Sequence, residues 1–424
     1  MSTAETTPRG SEKQALDVPV STDSLLTPAP DGGLEAWLVA GGASCVFFCG
    51  LGFANSFGVF QAYYMTHQLA HESPDKIAWI GSLSAFLSLL TGAIGGPLFD
   101  RYGAWILRPA AIFYVFAVMM TSLCTQYWHF MLAQGVLMGI SMGLSMFPAM
   151  AAVSQFFDKN RAAALGLAIS GSSIGGVVMP IALSKMLTSS TLGFGWSVRI
   201  IGFLMLPLLA FSCVTVKSRL PPRSTTLFIG AAFKESHYVI IIVGLFFVFL
   251  GMFTPLFFVP SYAVSRGMES TLAFYLLAIL NAASTFGRII PGLLADKFGP
   301  LNILGFAGLA LGIIILCFNE AKSTAALVVY SIVFGFVSGT IISGASAAFA
   351  KCPKDQRDIG TYMGMGMAVS SLAALIGPPV NGALIAKYGG FFEVSILSGV
   401  MCLIGGFVVF AAKTATSQGL LGRA

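Results

Sequence analysis

Charge is scarce in this chain: 9% of its 424 residues are Asp, Glu, Lys or Arg, against about 25% in a soluble domain. With 56% hydrophobic residues, it has too little polar surface to cover itself in water, so lipid must be its main solvent. None of its 17 acidic residues falls in the middle of an apolar run. A carboxylate relay at membrane depth is therefore missing. The four histidines, His67, His71, His129 and His237, fall in loops or at helix ends. The seven cysteines show no CxxC and no histidine at ligand spacing, so no metal framework is indicated. They read as small apolar filler, with pairing near the outer surface left open. No Gly-x-x-x-x-Gly-Lys-Ser/Thr loop occurs, which excludes ATP as a direct energy source through that motif. With no cluster of His, Asp or Glu facing a cavity, neither an enzyme nor a cofactor nor a metal is expected. Alternating ten-residue strands are also absent, against a membrane barrel.

Long apolar runs are abundant instead. A bilayer core about 30 Å thick needs roughly 20 apolar residues per helix. Twelve runs qualify: 36–64, 77–99, 106–125, 128–156, 161–188, 195–216, 238–265, 270–295, 301–319, 323–350, 359–387 and 391–412. The fold expected is an all-α membrane protein of twelve transmembrane helices. Residues 1–30, rich in Ser, Thr and Pro, read as a disordered tail, and lack the basic-then-apolar start of a secretory signal. With both termini in the cytoplasm, sixteen of the 23 Lys and Arg fall on the cytoplasmic side, six outside, and one, Arg288, inside a run. This bias predicts termini-in. The net +6 is spread over many short loops and forms no patch for nucleic acid.

One phrase occurs twice. Gly96-Pro97-Leu98-Phe99-Asp100-Arg101-Tyr102-Gly103 returns 196 residues later as Gly292-Leu293-Leu294-Ala295-Asp296-Lys297-Phe298-Gly299. Gly166, Ser172, Ser173 and Pro180 return as Gly364, Ser370, Ser371 and Pro378, each 198 residues on. Two near-equal offsets imply a duplicated six-helix unit, and parallel repeats of this kind are a transporter architecture. The units expected are 31–216 and 238–412, joined by a cytoplasmic loop 217–237, with a cytoplasmic tail 413–424.

The repeated turn resembles the G-x-L-a-D-r-x-G motif of the major facilitator superfamily (MFS). Asp31-Gly32-Gly33-Leu34-Glu35-Ala36-Trp37 and Phe156-Phe157-Asp158-Lys159-Asn160-Arg161, the latter followed by Gly166-Leu167-Ala168 and Ser170-Gly171-Ser172, resemble the entries to helices 1 and 5 of its monocarboxylate transporter-like family, fungal branch. The resemblance spans about residues 31–412. It implies two pseudo-symmetric bundles with helices 1, 4, 7 and 10 around a central cavity. It also implies transport of a small organic substrate by alternating access.

Candidate residues follow. Asp100 and Asp296, beside the cations Arg101 and Lys297, read either as a latch whose charges join the halves in one state or as plain charge turns. The superfamily often places an arginine in helix 4 near Gln134-Gly135; here that position is Met131, so the usual partner of Asp100 is missing. Arg288 lies about 12 Å deeper than Asp296 at 1.5 Å per residue. An arginine at that depth costs at least about 2.5 kcal/mol facing lipid, so it faces protein or a cavity. Its planar fork suits a carboxylate, or it caps helix ends within the protein. The resemblance favours the first use. Asn281 and Ser284 precede it at helical spacing. Asn55 and Gln61 in helix 1, Gln134 in helix 4, Asn381 in helix 11 and Tyr262 in helix 7 are the neutral candidates, with helix–helix bonding as their alternative use. Helix 10 is a run of small residues from Gly335 to Ser346, suited to close packing or rocking.

Animal members of the family pair the helix 8 arginine with an aspartate where this chain has Ser284, and carry a helix 1 lysine where it has Val59. Proton coupling is thus left to an interfacial acid, to the substrate's own protonation, or to neither. The substrate expected is a larger organic anion or polyketide-like metabolite, exported across the plasma membrane of a fungal cell. The competing expectations are proton-linked uptake of a small monocarboxylate and a non-transporting membrane sensor.

Overall fold

The computed structural model describes residues 29–189, 191–221 and 228–413. Most of the expected N-terminal tail, part of the inter-bundle loop and most of the C-terminal tail lie outside them.

The described residues form helices and connecting turns, with no strand among them. Eleven helical runs are long and apolar enough to cross a membrane. The longest, Lys76–Thr121, bends back on itself at Gly103, whose φ of +68° only glycine adopts without strain. That yields twelve crossings: α1 Gly33–Thr66, with a break at Asn55–Ser56; α2 Pro74–Leu90 continuing as Gly92–Tyr102; α3 Leu107–Thr121; α4 Tyr127–Phe156; α5 Arg161–Ser189; α6 Gly193–Thr215; α7 Ser236–Ser265; α8 Ser270–Phe298; α9 Pro300–Leu316; α10 Thr324–Ala350; α11 Ile359–Tyr388; and α12 Phe392–Ala412. Gly299, the repeat counterpart of Gly103, also has a positive φ, +93°. The last glycine of the repeated phrase is thus the reversal between α2 and α3 and between α8 and α9.

Glycine and serine faces set the packing, because helices in lipid associate through close van der Waals fit. Gly52 of α1 meets the backbone of Gly175 in α5, and Gly308 of α9 meets Gly406 in α12. The small-residue run of α10 lies along α8, with Gly335 against Leu280, Gly339 against Ser284, and the Thr340 hydroxyl donating to the Gly287 carbonyl at 2.9 Å. Large apolar side chains such as Phe116, Val214, Phe286, Phe306 and Phe407 are exposed on the outside, where lipid would cover them. All seven cysteines are free.

Two joints hold the entry to α1. The Asp31 N–H donates to the Phe156 carbonyl, at 3.1 Å. The Asp31 Oδ1 accepts from the N–H groups of Asp158, Lys159 and Asn160 at 2.6, 2.7 and 3.4 Å. Asp31 is the one described non-glycine residue with a positive φ, +52°, a conformation Asp and Asn tolerate best. Asp31→Ala should therefore lower thermal stability by about 1–2 kcal/mol, as loss of a helix cap does, and Asp31→Asn by less. A melt of the detergent-purified chain checks the order.

Candidate functional site

Two aspartates reach from one half of the molecule to the other. Asp100, at the end of α2, accepts from the N–H of Gly360 at 3.1 Å, the N–H of Thr361 at 2.6 Å and the Thr361 hydroxyl at 2.6 Å. All three belong to the first turn of α11. Asp296, at the end of α8, accepts from the N–H groups of Ala162 and Ala163, both at 2.9 Å. These belong to the first turn of α5. The first N–H groups of a helix have no partner within it and carry partial positive charge, so a carboxylate there is both hydrogen-bonded and electrostatically favoured. Sequence reasoning offered a latch of the charged residues or plain charge turns. The structure instead pairs each carboxylate with a helix N-terminus, which needs no helix 4 arginine and accommodates Met131. Arg101 and Lys297 are exposed; Arg101 stacks over the Tyr102 ring.

Further contacts close this end. The buried Arg161 donates to the carbonyl of Ala350, at the end of α10, at 3.0 Å, and bonds Asp158 at 3.0 Å. Arg219, beyond α6, donates to the carbonyl of Gln155 at 2.6 Å and to Gln356, before α11, at 3.4 Å. Burial, reinforced by the neighbouring Arg161 charge, holds the Lys351 amine below the ordinary lysine range. The halves are therefore closed on each other at the end where α1 begins and α12 finishes.

Deeper in the same α5–α8 seam lies Arg288, only 4% exposed. Its Nη1 donates to the Ile169 carbonyl at 2.7 Å and to the Ser172 hydroxyl, both on α5, while its Nε, also buried, has no partner. Asn281 lies two turns further along α8, where its Oδ1 accepts from Asn55 Nδ2 at 3.4 Å. Gly176 of α5 fits against this pair; a Cβ there would come within 2.6 Å of the Asn55 amide. So α8 presents three polar groups to the opposite half, one below the other: Asn281, Arg288 and Asp296. By the 196-residue offset the counterpart of Arg288 in α2 is Gly92, which packs against Gly364 of α11. The two seams share their carboxylate locks, but of these two matching positions only Arg288 is a cation.

The other candidates divide. Ser284 does not join Arg288: although one turn away on the same face, it packs against Gly339 of α10, in its own half. Gln134 sits in a π-helical turn, Met131–Leu137, and accepts from the Tyr64 hydroxyl at 2.9 Å, within the N-terminal half. π-turns often mark functional positions, but this amide is committed to Tyr64. Tyr262 donates to the Asn319 carbonyl at 3.0 Å and packs on Phe318 and Phe391. It belongs to an aromatic cluster of the C-terminal half, not to the seam. Asn381 donates to Thr254 at 2.6 Å, and Thr254 bonds Ser398 at 2.6 Å, a bridge among α11, α7 and α12. Gln61 is half-buried toward the C-terminal end of α1. Sequence reasoning missed Ile169, Thr361 and the helix-end role of Arg161. It noted Ser172 only as a repeat marker and as part of the stretch that resembles the helix 5 entry. No pattern signals a backbone carbonyl or N–H as a partner, although the shared 198-residue offset did mark Ser172's stretch.

The sequence profile of the Major Facilitator Superfamily matches residues 42–318 and, in a second overlapping stretch, 292–422. The chain belongs to the Major Facilitator Superfamily. It is 50% identical over 392 residues to the aspyridones efflux protein apdF of Emericella nidulans, covering 92% of this chain and 80% of that one. It is 38% identical over 397 residues to the agnestins efflux protein AgnL12 of Paecilomyces divaricatus, covering 92% and 90%. Its fold matches the human organic anion transporter MFSD10 with a TM-score of 0.71 at 15% identity, over 89% of this chain and 100% of that one. It also matches the transporter FucP in the outward conformation, with a TM-score of 0.70 at 14% identity, over 89% and 98%. This MFS protein is thus a multi-pass integral membrane protein with fungal transporter relatives. Membership in the monocarboxylate transporter-like branch is a finer assignment than the matched profile makes.

Proposed function

We propose that this MFS protein exports an organic anion of the secondary-metabolite class by alternating access, with Arg288 as the anion's partner. The observation that carries the anion reading is the state of that guanidinium. It is buried, its described hydrogen bonds go to neutral acceptors, and one N–H is unmatched. A buried cation without a counter-charge is costly, and a substrate carboxylate or enolate supplies one. The relatives named as efflux proteins for aspyridones and agnestins support the direction and the substrate class. The Asp31 and Arg161 contacts support placing the chain in the monocarboxylate transporter-like branch, since both residues sit in the stretches that resemble it.

We take the units as 31–216 and 238–412 moving about the seams, in the plasma membrane, with the termini cytoplasmic as the basic residues favour. On that orientation the end closed by both aspartate locks is the cytoplasmic side. Proton-linked uptake of a small monocarboxylate finds less support, because Ser284 is turned to α10 and brings no acid beside Arg288.

The test is flux in proteoliposomes of the native chain and of Arg288→Ala. Labelled acids from lactate to aspyridone-sized compounds are compared with and without a pH gradient. A large acid should move, and Arg288→Ala should reduce its flux by at least about a hundredfold, the scale of losing a bidentate charge-assisted contact. Normal flux in Arg288→Ala would remove the arginine from the binding site. Strong lactate movement with protons would favour the uptake reading.

A further inference from the structure

Arg288 is not waiting empty. Its Nη1 is held by two groups of α5, the Ile169 carbonyl and the Ser172 hydroxyl. The same hydroxyl donates onward to the Ile169 carbonyl at 2.9 Å, so hydroxyl, carbonyl and guanidinium form one closed set. These acceptors belong to the half of the molecule that must part from α8 when this end opens. The α2–α11 seam has Gly92 at the matching position; its backbone contact with Gly364 matches that of Arg288 with Gly166, and glycine adds no side-chain bond.

We propose that Ser172 and the Ile169 carbonyl are a built-in occupant of the anion site, displaced by the substrate, so that anion arrival itself unties α5 from α8. This rests on the reading of Arg288 as the anion's partner. The physical basis is competition. An ionised oxygen forms a stronger hydrogen bond to a guanidinium than a neutral hydroxyl or carbonyl does, so a carboxylate that bridges Nη1 and Nη2 displaces the two α5 acceptors from Nη1. Released α5 groups lose one contact of the lock, which leaves the seam to the Asp296 cap and to helix packing such as that of Gly166 on the Arg288 carbonyl. Ser172 is a positioning residue: it acts on affinity and on opening through Arg288. One seam therefore senses substrate, while the other, smooth with glycine, follows. A neutral molecule of the same shape gains no such exchange and does not open this end.

The probes are 2-naphthoate and its neutral isostere 2-naphthamide, on the full-length purified chain. Hydrogen–deuterium exchange of the α5 segment 161–172 reports opening without added labels. Ligand-free Ser172→Ala should exchange faster there than the native chain, and Ser172→Thr should restore protection. With 2-naphthoate the native chain should exchange faster in that segment; with 2-naphthamide it should not. Ser172→Ala should also bind 2-naphthoate more tightly, by up to about tenfold, because one competing hydrogen bond to a charged group is gone. Unchanged exchange in ligand-free Ser172→Ala overturns the displacement proposal, whatever the binding result. Tighter binding in Ser172→Ala together with lost binding in Arg288→Ala supports both readings. Equal 2-naphthoate affinity in the native chain, Ser172→Ala and Arg288→Ala, including none in all three, sinks the anion site and the proposal built on it. Loss of binding in Arg288→Ala with no gain in Ser172→Ala sinks the displacement alone.

Discussion

Alanine at Gly364 is expected to cut flux by at least about tenfold while leaving the folded chain as stable as before. A Cβ at that position would overlap the Gly92 carbonyl across the α2–α11 seam, and one at Gly166 would overlap the Arg288 carbonyl across the α5–α8 seam. These oxygens are backbone atoms within helices, so they cannot rotate aside. Both contacts join the two halves, and both are lost when this end opens. The added methyl therefore penalises one state and spares the other. Overpacking costs about 1–3 kcal/mol, and a bias of that size shifts a two-state balance by about ten- to a hundredfold. Gly251 and Gly287 supply the contrast. A Cβ at either would strike the Ser398 or Phe336 carbonyl, but these contacts lie within the C-terminal half. Gly251→Ala should lower the melting temperature, because no functional state relieves its clash. Flux and thermal melts on the same preparations separate the two outcomes. A Gly364→Ala protein that melts early yet transports normally would mean that this seam does not move.

Removing both carboxylate locks should have the second-largest effect. Asp100→Ala leaves three donors of the α11 N-terminus without their acceptor, and Asp296→Ala leaves two at α5. A lost helix cap is worth about 1 kcal/mol, and the charge–dipole part raises this to about 2 kcal/mol in a partly buried site. The seams are separate, so the two losses should nearly add. The double variant is expected to rest open at this end and to lose most of its transport, with each single variant intermediate. Asparagine at either position retains an acceptor oxygen and should lie between aspartate and alanine. Amide exchange in the first turns of α5 and α11 measures the opening. If the double variant exchanged like the native chain, the aspartates would be anchors of the turns and not locks between halves.

Twelve crossings, the duplication and the superfamily were legible from the chain itself. Apolar length and turn chemistry are local properties, and lipid leaves a backbone few alternatives to the helix. The repeated Gly–Asp–Gly phrase was equally legible as a turn, whereas the part its last glycine plays at the reversal came from the backbone angles. Its two aspartates were expected at the junction of the halves and lie there, but with partners that no sequence pattern names. A helix N-terminus is made of N–H groups common to every residue, and only packing decides which terminus faces which carboxylate.

Arg288 shows the same division. Composition and depth said that a lone arginine must be turned away from lipid, because exposing it there is costly wherever the protein folds. They could not say that α5 would hold it. Spacing alone put Asn281, Ser284 and Arg288 on one face of α8, yet two other helices pack on that face. The small residues of α10 drew Ser284 to one side, while on the other α1 took Asn281 and α5 took Arg288. Tyr262 and Gln134 were committed in the same manner, to a carbonyl and to a tyrosine inside their own halves. The sequence by itself determined what kind of solvent the protein lives in, how often it crosses it and which charges must be sheltered. The tertiary structure decided which groups shelter them, because a hydrogen bond between helices depends on the relative rotation and depth of both partners.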